Sequence, residues 1–173
     1  NEKLLAYPFI EYHQSGYESI IDKTYGTNYV NTKGETAFLN IMYVSPQFFQ
    51  MFDIDIEEGA IPEKSGRNIY VLNRAAMKAM NFSSLEEAAV VEDNRKRKDA
   101  NAPMEPIVAV VKDYYNGHLS SGAAPILYNV SGSGGPRHQI AFPEGKKQDL
   151  LNYLKETMKE VYGAEEFTYS FLE

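Results

Sequence analysis

The chain contains no cysteine and no tryptophan. Without cysteine there is no disulfide framework, no thiolate metal site and no cysteine nucleophile. It fits a reducing compartment and equally an envelope protein built without disulfides. Long apolar runs are missing too: none approaches the roughly 18 residues that a membrane-spanning helix needs. The opening "NEKLLAYPF" lacks the charged-then-apolar pattern of a signal peptide. Excess positive charge is also absent. The net charge is −7, which argues against a nucleic-acid surface, because phosphate binding needs a basic field. The G-x-S-x-G, H-E-x-x-H, Walker and kinase patterns are all absent.

What is present is a folding composition. Apolar residues make up 43% of the 173 positions, with 13 Tyr and 9 Phe, enough for a real core. "AFLNIMYV" (Ala37–Val44) reads as a half-buried strand. In "SPQFFQMF" Ser45 suits a helix N-cap and Pro46 the first helical position, with Phe48, Phe49 and Phe52 on one face. Gly59 and Pro62 close that unit. "RNIYVLNRAAMKAM" predicts a strand at Ile69–Leu72 and a helix capped by Asn73, packing through Ala75, Ala76, Ala79 and Met80. "SSLEEAAVV" carries a capping box, Ser84 with Glu87, and predicts a short helix. "EDNRKRKDANAPMEP" reads as a long hairpin loop. "IVAVV", "APILYNV" and "HQIAF" read as strands, and "SGSGGPR" as a flexible linker. "KKQDLLNYLKETMKEVYG" is the clearest helix, with a stripe of Leu150, Leu151, Leu154, Met158 and Val161 and a stop at Gly163. "FTYSFL" alternates Phe167, Tyr169 and Phe171 and predicts a final strand. Strands and helices mix without a strict repeat, so the fold class is α+β.

The stretch "IVAVVKDYYNGHL" (Ile107–Leu119) poses the sharpest question. Lys112, Asp113 and His118 could form an acid–base set at the end of a buried strand. No nucleophile motif, metal pair or phosphate loop supplies partners, so a strand leaving a sheet is the better reading. His13, His118 and His138 are far apart in sequence, with no H-x-H or H-x-x-x-H pair among them. "SGSGGP" precedes Pro136 and a strand, whereas a phosphate loop opens a helix. The cations Arg95–Lys98 are flanked by Glu92, Asp93 and Asp99 and read as a solvated tip. From the residues alone we expect no catalytic, cofactor-binding or metal-ligating residues, and no cofactor.

The order of motifs says more. "YVSPQFFQMFDIDIEEGAIP", "NIYVLNRAAMKAMNF", "SSLEEAAV", "IVAVVKDYYNGHLSSGAAPILYNV" and a strand–helix–"FTYSFLE" ending follow one another. This series resembles the MacB-like periplasmic core domain of ABC transporter permeases of the FtsX-like group, in its Bacteroidetes form. Two positions depart from the family pattern: Ala109 stands for the glycine of "vvGVvkD", and Val90 or Val91 for that of "eeA.Gk".

The resemblance implies a two-lobed domain at the periplasmic face of the inner membrane, between transmembrane helices. It implies a Porter-like lobe from 1–60 and 119–173 and an inserted Sabre-like lobe at 61–118. It also implies a non-catalytic role that transmits ATP-driven conformational change to export. The implied partners are a second permease copy, a cytoplasmic ATPase subunit and a periplasmic adaptor or outer-membrane partner, and no nucleic acid. The missing initiating Met fits a piece cut from between membrane helices. Both chain ends, Leu4–Tyr12 and Phe167–Leu172, should then share a lobe. Two rivals remain: a binding module for an extracytoplasmic lipid, peptide or glycan, suggested by Tyr7, Phe9, Tyr12 and Tyr17, and an enzyme assembled from at least two of Lys112, Asp113, Tyr115 and His118.

Overall fold

A computed structural model describes residues 6–16, 25–63, 69–114, 122–131, 137–163 and 166–171. The fold is α+β. Its strands are β1 (Tyr12–Gly16), β2 (Tyr25–Asn31), β3 (Thr36–Val44), β4 (Ile56–Gly59), β5 (Ile69–Asn73), β6 (Ala89–Glu92), β7 (Glu105–Val111), β8 (Ile126–Val130) and β9 (Arg137–Ala141). The helices are α1 (Gln47–Met51), α2 (Arg74–Ala79), α3 (Asp93–Lys98) and α4 (Lys147–Tyr162).

Seven strands form one mixed sheet in the order β4-β7-β5-β8-β3-β2-β6, and β6 also pairs with β7, so the sheet curls into a ring. The β3–β8 and β5–β7 pairs are parallel; the others are antiparallel. Side chains alternate between faces along a strand, and the sequence uses both faces. On one face Leu39, Ile41, Leu72, Val90, Ile107, Val110 and Leu127 meet Ala76, Met77 and Met80 from α2 and its end. On the other face Met42, Val44, Val71, Val111, Ile126 and Tyr128 pack against Phe48 and Phe49 of α1. β8 is buried throughout, as a central strand covered on both sides must be.

The chain divides into two compact units, residues 14–139 and residues 1–13 with 140–173. Both chain ends belong to the smaller unit. The expected inner boundaries at 61 and 119 do not coincide with this division. β3, before residue 61, and β8, after residue 119, are hydrogen-bonded into the same sheet as β5 and β7. β1 and β9 form a separate two-stranded sheet.

The strand at Ile69–Asn73, the helix after it, the strand at Thr36–Val44 and the terminal helix stand where the sequence places them. In α2, Met77 is buried and Ala79 exposed, a shift of the expected packing face. α1 begins after Pro46 and has no side-chain cap. The expected short helix at Ser84–Val91 is instead a turn leading into β6. Glu87 accepts from the Ser83 N–H, one residue before the expected cap Ser84, within a turn rather than a helix. The expected loop after it holds α3, inside a β6–β7 hairpin. In α4, Thr157 is buried and Val161 exposed. Residues 166–171 carry no strand: their three aromatic rings pack on one another rather than lying in a ladder. The Gly/Ser linker at 132–136 lies outside the described residues.

Candidate functional site

At the end of β7 the acid–base candidates have structural tasks. The Lys112 N–H donates to the Asp55 carbonyl at 2.9 Å, and its ammonium pairs with the Asp55 carboxylate at 3.4 Å in solvent. Asp113 Oδ1 accepts the Ala75 N–H at 2.8 Å, while Asn73 Oδ1 accepts that of Ala76 at 3.0 Å. The first N–H groups of a helix have no intrahelical partner; two side chains, one at the end of β5 and one two residues past β7, satisfy them here. Asp113 is thus a helix cap supplied across 38 residues of sequence. Tyr114 packs half-buried on the core, and burial raises its phenol above the ordinary range. Tyr115, Asn116 and His118 lie outside the described residues, as does Tyr17.

The cations of α3 are engaged locally. Arg97 pairs with Asp93 at 2.7 Å, Arg95 with Glu105 at 3.4 Å, and Lys96 donates to the Ala100 carbonyl at 2.6 Å. The open depression beside them mixes Glu92 and Asp99 with Arg95 and Lys98, which does not suit an anion. Among the described residues, no three His, Asp or Glu side chains converge as metal ligands. His13 and His138 lie on β1 and β9.

Two groupings of aromatic residues stand out. The first is on the ring-shaped sheet. Tyr43, Asn129 and Tyr70 occupy opposed register positions across β3, β8 and β5, with Tyr29 and Glu92 paired nearby across β2 and β6. Burial, then the neighbouring Tyr70, Glu92, Tyr43 and Tyr25, raise the Tyr29 phenol far above the usual tyrosine range. Burial and Glu105 raise that of Tyr70. Raised in this way, these phenols stay protonated and neutral and are not poised to act as bases.

The second grouping is in the smaller unit, where both chain ends meet the start of α4. Gly145, at φ +81°, turns the chain between β9 and α4, and the Lys146 N–H closes the turn on the Pro143 carbonyl. That turn sets Lys146 and Lys147 side by side. Lys146 Nζ lies 4.3 Å from the centre of the Phe9 ring, and Lys147 Nζ lies 3.7 Å from that of Phe171. Phe9 meets Tyr7 edge-on, and Tyr7 lies against Tyr153 of α4 at 4.7 Å. Phe171 touches Phe142 and Tyr169, and Tyr169 touches Phe167. Residues 9 and 171, from opposite ends of the described chain, are therefore held by adjacent lysines.

Tyr7 is buried, whereas Phe9, Tyr12 and Tyr169 are exposed. The sequence reading noticed these aromatics but not the two lysines. A cation at a helix N-terminus opposes the helix dipole, and two in succession were the available signal.

No protein-family model matches the sequence, and no curated protein does. Solved structures do. The periplasmic region of MacB from Actinobacillus actinomycetemcomitans aligns over 95% of this chain and 73% of its own length, at 15% identity and a TM-score of 0.62. A domain described as part of a permease protein of Porphyromonas gingivalis aligns over 88% and 70%, at 13% identity and a TM-score of 0.61. The extracellular domain of the noncanonic ABC-type transporter YknZ from Gram-positive bacteria aligns over 94% and 82%, at 8% identity and a TM-score of 0.66. The chain has the fold of the extracytoplasmic domains of MacB-like ABC transporter permeases.

Proposed function

We propose that the chain is the extracytoplasmic domain of an ABC transporter permease, joined to transmembrane helices at both ends. In this reading it carries ATP-driven conformational change across the inner membrane to an export process. A separate cytoplasmic subunit hydrolyses the ATP, a second permease copy completes the assembly, and a periplasmic adaptor or outer-membrane protein receives the motion. The Porter-like and Sabre-like lobes of such domains would correspond to bodies whose populations nucleotide shifts.

The observation that carries the reading is the meeting of both chain ends in one compact unit of a permease-domain fold. A domain inserted between two membrane helices needs that arrangement. Asp113 serving as a helix cap agrees with a mechanical rather than a chemical role.

Lys78 lies on the exposed side of α2, and Lys78→Cys gives a single label site once any cysteine outside these 173 residues is replaced. In cells expressing the full-length protein, a membrane-impermeant maleimide with access to the periplasm should label it without lysis. Labelling that requires disruption of the inner membrane contradicts the placement.

A further inference from the structure

We propose that the end of the strand ring opposite α2 binds a primary alkylammonium ion. Its N–H groups meet Asn129, and its hydrocarbon chain lies between the Tyr43 and Tyr70 rings. The inference stands on the larger unit alone and goes beyond the permease reading, which names no ligand for the domain.

β5 enters α2 through Asn73, so α2 covers one end of the ring, and Tyr70 stands at the other end of β5. Asn129 lies opposite Tyr70 on one side and opposite Tyr43 on the other. Alternation puts these three on the face that carries Ile41, Leu72 and Leu127. The short asparagine is therefore the floor between two long aromatic side chains. Their strands stand about 9.5 Å apart, twice the strand spacing. A cation midway lies within about 6 Å of both ring centres, the range of cation–π attraction. Asn129 is 6% exposed, and its Oδ1 accepts no hydrogen bond from any described residue. A buried acceptor without a donor costs stability; an N–H of the occupant supplies that donor. The charge at this end has the matching sign. Glu92, in register with Tyr29, and Glu105 bring two carboxylates, and Arg95, 3.4 Å from Glu105, brings one guanidinium, which leaves one negative charge over. Both carboxylates act on the Tyr70 phenol and so lie within electrostatic reach of the slot. An anion lacks the charge match, and an uncharged alcohol lacks the attraction to rings and carboxylates. Tyr43, 37% exposed at the rim, is the ring that turns outward to admit the ion, a rotamer change open to exposed side chains.

The test is an NMR titration of the isotopically labelled chain with n-butylammonium chloride. Potassium chloride holds the ionic strength constant, and n-butanol is the uncharged control. The Asn129 side-chain amide and the Tyr43 and Tyr70 backbone amides should move saturably with the amine and not with the alcohol. Asn129→Leu removes the acceptor at nearly constant volume. It should raise the thermal midpoint, because an orphaned oxygen is lost, and weaken amine binding by about tenfold or more. An asparagine with a purely structural role predicts unchanged amine binding in that variant. Glu92→Gln, which keeps the shape and removes the charge, should weaken binding by about tenfold. The proposal is overturned by amide shifts that do not saturate, by equal shifts with amine and alcohol, or by a folded Asn129→Leu chain that binds the amine unchanged. Should Asn129→Leu not fold, Glu92→Gln decides: unchanged binding overturns the proposal. Periplasmic labelling of Lys78→Cys tests the permease reading separately, so the two can fail independently.

Discussion

Asn73 is the residue on which the larger unit is pinned. It is fully buried. Its Oδ1 accepts from Ala76 N at 3.0 Å and from Ile126 N at 2.9 Å, and its Nδ2 donates to the Ala124 carbonyl at 2.8 Å. One side chain therefore caps α2 and fixes the entry to β8. Replacing it with alanine leaves two buried N–H groups and a carbonyl without partners. Asn73→Ala should cost about 3 kcal/mol, read as a lower urea midpoint with an unchanged slope.

Glu35 tells a related story at the surface. Its carboxylate accepts from Asn31 Nδ2 at 2.8 Å and from Asn81 Nδ2 at 3.2 Å, and these bonds hold it below the ordinary value of 4.5. A depressed folded-state value means that the ionised form is the bonded one. The stability it contributes is present above that ordinary value and is lost as pH falls through the folded one. Thermal unfolding midpoints should drop as pH falls below about 4.5, and Glu35→Gln should flatten that drop. The cap role of Asn73 was legible in sequence because its partner is three residues away. That of Asp113 was not, because its partner is 38 residues away.

Among the elements, those with a strong local pattern declared themselves. β3, β5 with α2, β7, β8 and α4 combine dense apolar residues with caps or turn glycines. β2 (Tyr25–Asn31) and β4 (Ile56–Gly59) went unread. β2 holds Gly26 and two asparagines, and β4 is an edge strand with two glutamates; their partners in the sheet, not their propensities, make them strands. The same tertiary pairing turned the expected helix at Ser84–Val91 into β6 against β2 and β7.

β4 also depends on one glycine. Gly59 sits at φ +75°, and an added Cβ would run into the Val108 carbonyl oxygen and the Leu85 side chain. Gly59→Ala should destabilise by more than about 2 kcal/mol, with the loss visible as faster amide exchange along β4 and the end of β7.

For the whole molecule, the meeting of the chain ends was expected from resemblance, and the structure places both in one unit. The ring of strands joins segments on both sides of residues 61 and 119 through long-range pairs, which no local pattern announces. None announces the aromatic–lysine face either, which needs residues 9, 142, 146, 147 and 171 brought together in space.

The proposed function requires that the domain move in response to nucleotide. The most direct measurement is double electron–electron resonance between spin labels at Lys78→Cys on the two copies that the proposed permease assembly contains, reconstituted with the proposed ATPase and with any other cysteine replaced. The account predicts one distance distribution without nucleotide and a different one when ATP is trapped. Identical distributions in both states, while the ATPase turns over normally, would contradict it.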